Sequence, residues 1–342
     1  MRTITLDFET YYDKEYELRK LTNEAYVRDP RFQALCLGVK AFGCDPLVIR
    51  QPDIADWLAE EKWDDTAVIL QHAQFDGFIL SEIYHVTPAF IFDTLAMAHE
   101  VNGPIAPASL EALAARYGGT PKSVPYNYFR GKRWEQMSKQ LQDELCDGCA
   151  HDCDLTELVF RELVKGFPHD ELEIIDLTIR MYTEPRIYGD HALFSKLALE
   201  EEQRKSDLLE VLNIPKTALS SNATFCRILT GLGEDVPSKP GAKGPNPCVA
   251  ASDPYMIDNM ERDDVIGQLI RARMEVKSTI QETRAGRLAA MSLRGPLPVY
   301  LKYWAAITGR WGGGEKTNIQ NLPHDGPMRS GLCSENVNVE VL

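Results

Sequence analysis

The stretch from Arg2 to Thr10, RTITLDFET, constrains the fold more than any other segment of the chain. Side chains alternate faces along a strand, so Ile4, Leu6 and Phe8 point to one side, and Thr5, Asp7 and Glu9 to the other. Two carboxylates one residue apart on one face repel each other once they are enclosed, unless they are protonated or bridged by a cation. The alternative is an edge strand with a solvated acidic face. Further apolar runs, ALCLGVKAF and TAVILQHA, read as sheet neighbours and argue for a central strand.

The first 165 residues or so alternate such runs with helical patterns, as an α/β domain does. From Pro168 onward the texture changes to long amphipathic helices, DELEIIDLTIRMYTEPR and HALFSKLALEEEQRKSDLLEVL, with a Pro/Gly-rich loop at VPSKPGAKGPNP. One long helix is expected from about Tyr255 to Ser292, and the domain boundary near Gly166–Pro168. No stretch reaches about 18 uninterrupted apolar residues, which indicates no membrane span. The N-terminus lacks the apolar core of a secretory signal, so an intracellular protein is expected. The eight cysteines are scattered, and reduced thiols are the default. The trio in CDGCAHDC lacks a well-spaced fourth ligand apart from His151, and reads as a helix face of small apolar residues.

Two further acids join the pair on the first strand. Asp76 in LQHAQFDGFIL follows a strand and opens a helix, where a capping role competes with a ligand role. Asp152 is more telling. At about 100° per residue it shares one helical stripe with Leu145, Cys149, Thr156, Val159 and Leu163, whereas Asp154 points away. A carboxylate on an inward face must be paired, hydrogen-bonded or metal-bound. Four acids on a first strand, a helix start and a late helix suit a two-metal site, and hard oxygen ligands select Mg²⁺ or Mn²⁺. Such a site hydrolyses phosphodiesters.

The net charge of −14 argues against generic binding of nucleic acid, but the bases are unevenly spread. Between Val265 and Lys316 nine bases face three acids, a local polyanion-binding candidate. On one continuous helix Arg273, Lys277, Arg284 and Arg287 would fall within about 80° of one another, a stripe suited to phosphates.

LDFET, HAQFDGFIL and AHDCDLTELV together resemble the three motifs of the DEDD 3′–5′ exonucleases, which have a ribonuclease H-like fold. The resemblance implies that Asp7, Glu9, Asp76 and Asp152 are catalytic metal ligands, with Asp93 in FIFDTLAMA beside the site. Two departures stand out. The second motif begins Gln71-His72 where the family usually has His-Asn. The position four before the last aspartate, a water-orienting tyrosine in one subclass, is Gly148; the histidine position of the other subclass is Asp147.

TGRWGGGEKTNIQNLP, from Thr308 to Pro323, resembles a segment of family A DNA polymerases, especially phage-type ones. SNATFCRILTGLGEDVPSKP and RARMEVKSTIQETRAGRL resemble the thumb that precedes it. This implies an exonuclease domain over 1–166, then a mainly α-helical thumb and the start of the polymerase domain over 167–342. Lys277, Ser278, Arg284, Arg310, Asn318, Gln320 and Asn321 would contact primer–template DNA. The glycines at 312–314 would permit a close approach. No Asp follows Asp325, so the palm aspartates are expected on a separate palm-and-fingers chain or lost by truncation.

The resemblance thus implies a proofreading exonuclease, phage-encoded and cytoplasmic in its host. The alternatives are a catalytically silent DNA-binding subunit and, more remotely, an RNA-trimming enzyme. Leu332, Val337, Val339 and Val341 are expected against a partner or disordered.

Overall fold

The computed structural model describes residues 1–122, 124, 126–241 and 244–337. It has two compact units. The first takes 1–188, 294–324 and 333–336; the described part of the second takes 189–293, 325–332 and 337.

The sheet of the first unit has five strands: β1 (Arg2–Thr10), β2 (Ala34–Ala41), β3 (Leu47–Arg50), β4 (Thr66–Leu70) and β5 (Phe90–Asp93). Their order is β3-β2-β1-β4-β5. β1 pairs antiparallel with β2, as β2 does with β3, while β1–β4 and β4–β5 are parallel. β1 is therefore central, and Ile4, Leu6 and Phe8 are buried in the main core as their alternation requires.

Short helices α1 (Asn23–Val27), α2 (Ile54–Glu60), α3 (Ala73–Glu82), α4 (Thr94–Asn102) and α5 (Leu110–Arg116) precede the long α6 (Lys139–Leu163). Ser138 caps α6 through a bond from the Leu141 amide. α6 lies over β1 and β2 on the face that carries Asp7. Gly38, directly opposite Asp7, makes that approach possible: a Cβ there would stand 2.6 Å from Cys153 Sγ and 3.0 Å from Cys149 Sγ.

The expected boundary near residue 166 shifts. α7 (His169–Thr183) packs on α3 and β5, and Asp176 accepts a bond from the Ile91 amide at 2.8 Å. α7 thus belongs to the sheet unit.

So does the segment from Arg294 to His324. Arg294 makes a two-pronged ion pair with the buried Glu24, and Glu315 accepts from the Asn23 amide at 2.6 Å. Tyr300 and Tyr303 join the main core.

The second unit holds α8 (His191–Val211), α9 (Lys216–Ser220), α10 (Asn222–Gly231), α11 (Pro254–Asn259), α12 (Val265–Lys277) and α13 (Ile280–Arg294), the last leaving it at Arg294. Leu219, Phe225, Met256, Leu269 and Ile270 form its core. The single helix expected over 255–292 is three helices. The break after Lys277 has a cause: the buried Lys205 ammonium donates to the Ser278 carbonyl at 2.6 Å and to Glu282 at 3.1 Å. A side chain has claimed a carbonyl that a continuous helix would use.

Among the described residues no helix is long and apolar enough to cross a membrane. Val337 is exposed and Leu332 half-buried, while Val339 and Val341 lie outside the described residues.

Candidate active site: a carboxylate cluster beside the central strand

Asp7 and Glu9 leave the same face of β1, and Asp152 descends from the middle of α6. One ligand atom from each lies within 4.8 Å of the others, the one such group found among the described residues. The cysteines of CDGCAHDC form no group of that kind, and all eight thiols are free.

Asp76 stands beside the three. It is buried in the first turn of α3, and its Oδ1 accepts from the Phe8 amide at 3.1 Å. That bond locks it to β1 between Asp7 and Glu9. Capping is excluded for Asp76, because His72 occupies the cap position of α3 with a left-handed φ of 67°.

Asp93 has the structural task instead. Its Oδ1 accepts from the amides of His72, Ala73 and Leu95 at 2.9, 3.2 and 3.1 Å, capping α4 and holding the start of α3. Burial raises its pKa to about 6.

Like charges crowd this cluster. Burial, then the charge of Asp152, pushes Asp7 up to about 7. Burial and Asp7 raise both Glu9 and Asp76 well above the ordinary carboxylate range. Cys149 donates toward the Asp7 carbonyl at 3.3 Å and toward its Oδ2 at 3.6 Å.

The cationic compensation comes from Lys122, whose Nζ lies 2.5 Å from Asp152 Oδ2. Burial opposes its charge, but Asp152, Asp7 and Glu9 outweigh that and raise its pKa. An ammonium drawn into an all-oxygen carboxylate set is a stand-in for a hard cation, so the donors fit Mg²⁺ or Mn²⁺.

Sequence reasoning missed Lys122 and Tyr126. The Tyr126 hydroxyl donates to Asp152 Oδ2 at 3.0 Å and stands beside Glu9. Both come from the connection between α5 and α6, which carries no periodic signal. A glycine in the interior of α6 was the available clue: a Cβ on Gly148 would meet Val124 at 3.1 Å and the Tyr126 hydroxyl at 3.4 Å. Asp147 faces solvent, and His151 turns to Thr120 and the Pro121 carbonyl, each at 3.3 Å.

The expected DNA-contacting residues divide. Arg273 is corrected outright: it is 1% exposed in the core of the helical unit. It donates to the carbonyls of Leu219 and Val249 and to Asn222, and lies over the Phe225 ring. Burial lowers its pKa. The break after Lys277 separates it and Lys277 from Arg284 and Arg287, so the continuous stripe does not form. Lys277 and Ser278 are exposed at that break, and Arg284 is half-buried and Arg287 exposed on α13. In the sheet unit, Arg310, Gln320 and Asn321 are exposed and Asn318 is half-buried.

The glycines at 312–314 are filled by their own chain. A Cβ on them would stand 2.7 Å from Ala305, 2.1 Å from Asn318 and 2.4 Å from the Tyr300 ring, respectively. They permit close packing of this segment rather than an open approach.

No family model and no curated protein matches the chain. Among solved structures it is similar to the POL domain of Pol1 from M. smegmatis, in complex with DNA primer-template and dNTP. The TM-score is 0.59 at 17% identity, covering 96% of this chain and 54% of that one. The chain thus spans about half the length of that relative, and is similar to it in fold over that part.

Proposed function

We propose that the chain is the exonuclease-and-thumb portion of a family A DNA polymerase, and that it removes nucleotides from DNA 3′ ends with Mg²⁺ or Mn²⁺. The observation that carries this is the convergence of Asp7, Glu9 and Asp152 within 4.8 Å, with Asp76 locked alongside. The strand order, with an antiparallel β3-β2-β1 half and parallel β4 and β5, supports a ribonuclease H-like sheet. The fold likeness to a polymerase domain solved with primer–template supports DNA as the substrate and the helical unit as its thumb.

Asp7, Glu9, Asp76 and Asp152 would hold the ions. Bound divalent cations would activate a water and neutralise charge on the leaving oxygen. The water oxygen bonds to phosphorus as the bond to the 3′ oxygen breaks. The shortened strand leaves with a protonated 3′ hydroxyl, and a nucleoside 5′-monophosphate is released. The carboxylates orient that reaction through their fixed positions, Asp76 through the Phe8 amide and Asp152 through α6 seated on Gly38. Lys122, already at Asp152, is placed to meet a phosphate oxygen once a cation takes its partner.

The test is incubation with 5′-labelled single-stranded and 3′-recessed DNA in Mg²⁺ or Mn²⁺, beside an Asp7→Ala/Glu9→Ala variant. A ladder shortening from the 3′ end, absent in the variant, is expected. The Lys122–Asp152 ion pair favours a second reading, a silent DNA-binding subunit whose site is closed by its own lysine. DNA binding without shortening by either protein would select it. An RNA substrate in the same assay tests the RNA-trimming alternative.

A further inference from the structure

We propose that Tyr126 positions the attacking water in this site, entering from the loop before α6, and that Gly148 is the socket that admits it. This rests on the nuclease reading above.

Among the described residues, the hydroxyl that donates to this cluster of acids is that of Tyr126. The Tyr126 hydroxyl is 3.0 Å from Asp152 Oδ2 and stands beside Glu9, so it lies between the helix and strand halves of the site. Its backbone is tied down, because the Tyr12 hydroxyl donates to the Tyr126 carbonyl at 2.7 Å. Its ring packs 6.2 Å from Phe129, and the Lys122 ammonium lies 5.1 Å from its centroid.

The hydroxyl gives its one proton to Asp152 Oδ2, which fixes the direction of the oxygen lone pairs that can hold a water. A water bonded to that hydroxyl is held against the carboxylates that would carry the ions.

Gly148 explains why the donor comes from a loop. α6 passes under Val124 and Tyr126 at this position, and the ideal Cβ is already 3.1 and 3.3 Å from Val124. A larger side chain at 148 and the Tyr126 ring in its present seat exclude each other. The other polar residues on the same turns of α6, Asp147 and His151, point elsewhere.

Three proteins test the proposal: wild type, Tyr126→Phe and Gly148→Val. Each is assayed for steady-state cleavage of 5′-labelled single-stranded DNA, for Mn²⁺ affinity by calorimetry, and for melting temperature. Tyr126→Phe keeps the ring and its packing. Its kcat is expected to fall on the order of 10–100-fold, the cost of a misplaced reactant. Its KM and Mn²⁺ affinity should stay within about threefold, since the hydroxyl acts in the chemical step and not in uniform binding.

Gly148→Val, with Tyr126 intact, should reproduce the kcat loss by displacing the ring. Wild-type kcat in Tyr126→Phe overturns the positioning role, and wild-type kcat in Gly148→Val overturns the socket. A parallel loss of Mn²⁺ affinity in Tyr126→Phe also overturns the proposal, because the tyrosine would then only hold the ligands in place. Absence of cleavage by the wild type removes the nuclease reading and this one with it, whereas cleavage by the wild type with either contrary result removes this one alone.

Discussion

Replacing Asp7 by asparagine should stabilise the protein in the absence of divalent metal. Asp7 is raised to about 7 from an ordinary 3.8, by burial first and then by Asp152. A carboxyl raised on folding contributes stability that is fully present below its unfolded pKa, near 4, and is lost as pH rises through the folded value near 7. The ionised folded form is therefore penalised by on the order of 4 kcal/mol at pH 8. Asp7 keeps part of its surface in reach of water, which screens that penalty, so about 2 kcal/mol is the expectation.

Asparagine has nearly the same shape and no charge to bury. In chelator, Asp7→Asn should melt several degrees above wild type at pH 8, with the gap narrowing toward pH 5. Adding Mn²⁺ should raise the wild-type melting temperature at pH 8 and close the gap, because binding to the folded state alone stabilises it. Scanning fluorimetry at both pH values, with chelator and with Mn²⁺, measures all of this. A variant that melts below wild type in chelator at pH 8, or a gap that does not change with pH, would refute the crowding of charge as the reason the site needs a cation.

Gly38→Ala forces a Cβ to within 2.6 Å of Cys153 Sγ, so it should cost about 1–3 kcal/mol and reduce cleavage by lifting α6 and Asp152 off β2; thermal melts and the nuclease assay read both effects. Arg273→Ala leaves the Leu219 and Val249 carbonyls without their donor, and should lower the melting temperature of the helical unit sharply. Lys277→Ala, at an exposed position, should leave the melt unchanged and reduce the salt slope of DNA binding by about 1. A reduced salt slope in an Arg273→Ala protein that remains folded would show that the guanidinium reaches phosphate after all.

β1 was legible from residue order alone because a strand imposes period two, and the burial of Ile4, Leu6 and Phe8 follows directly. Asp152 was legible for the same kind of reason, since the 3.6-residue period of α6 sets it on the face with Cys149 and Val159. In both cases a local repeat determines which side of an element a carboxylate leaves. Tertiary structure decided that the two sides meet, through the absent side chain of Gly38 that lets α6 sit against β2.

Where no local repeat operates, the residue order was silent or misleading. Arg273 lies in a run of bases, yet it is consumed by two carbonyls from segments about 25 and 55 positions away, distances that no helical period registers. The helix expected to carry it onward to Arg287 ends after Lys277 because Lys205, from another helix, takes the Ser278 carbonyl. Tyr126 and Lys122 reach the acids from an aperiodic connection, and only chain folding brings them beside Asp152. Periodicity thus determined Asp7, Glu9 and Asp152, whose facing needs one element each. The donor and the cation that complete the site were decided by packing between elements, because each contact depends on the position of a second chain segment.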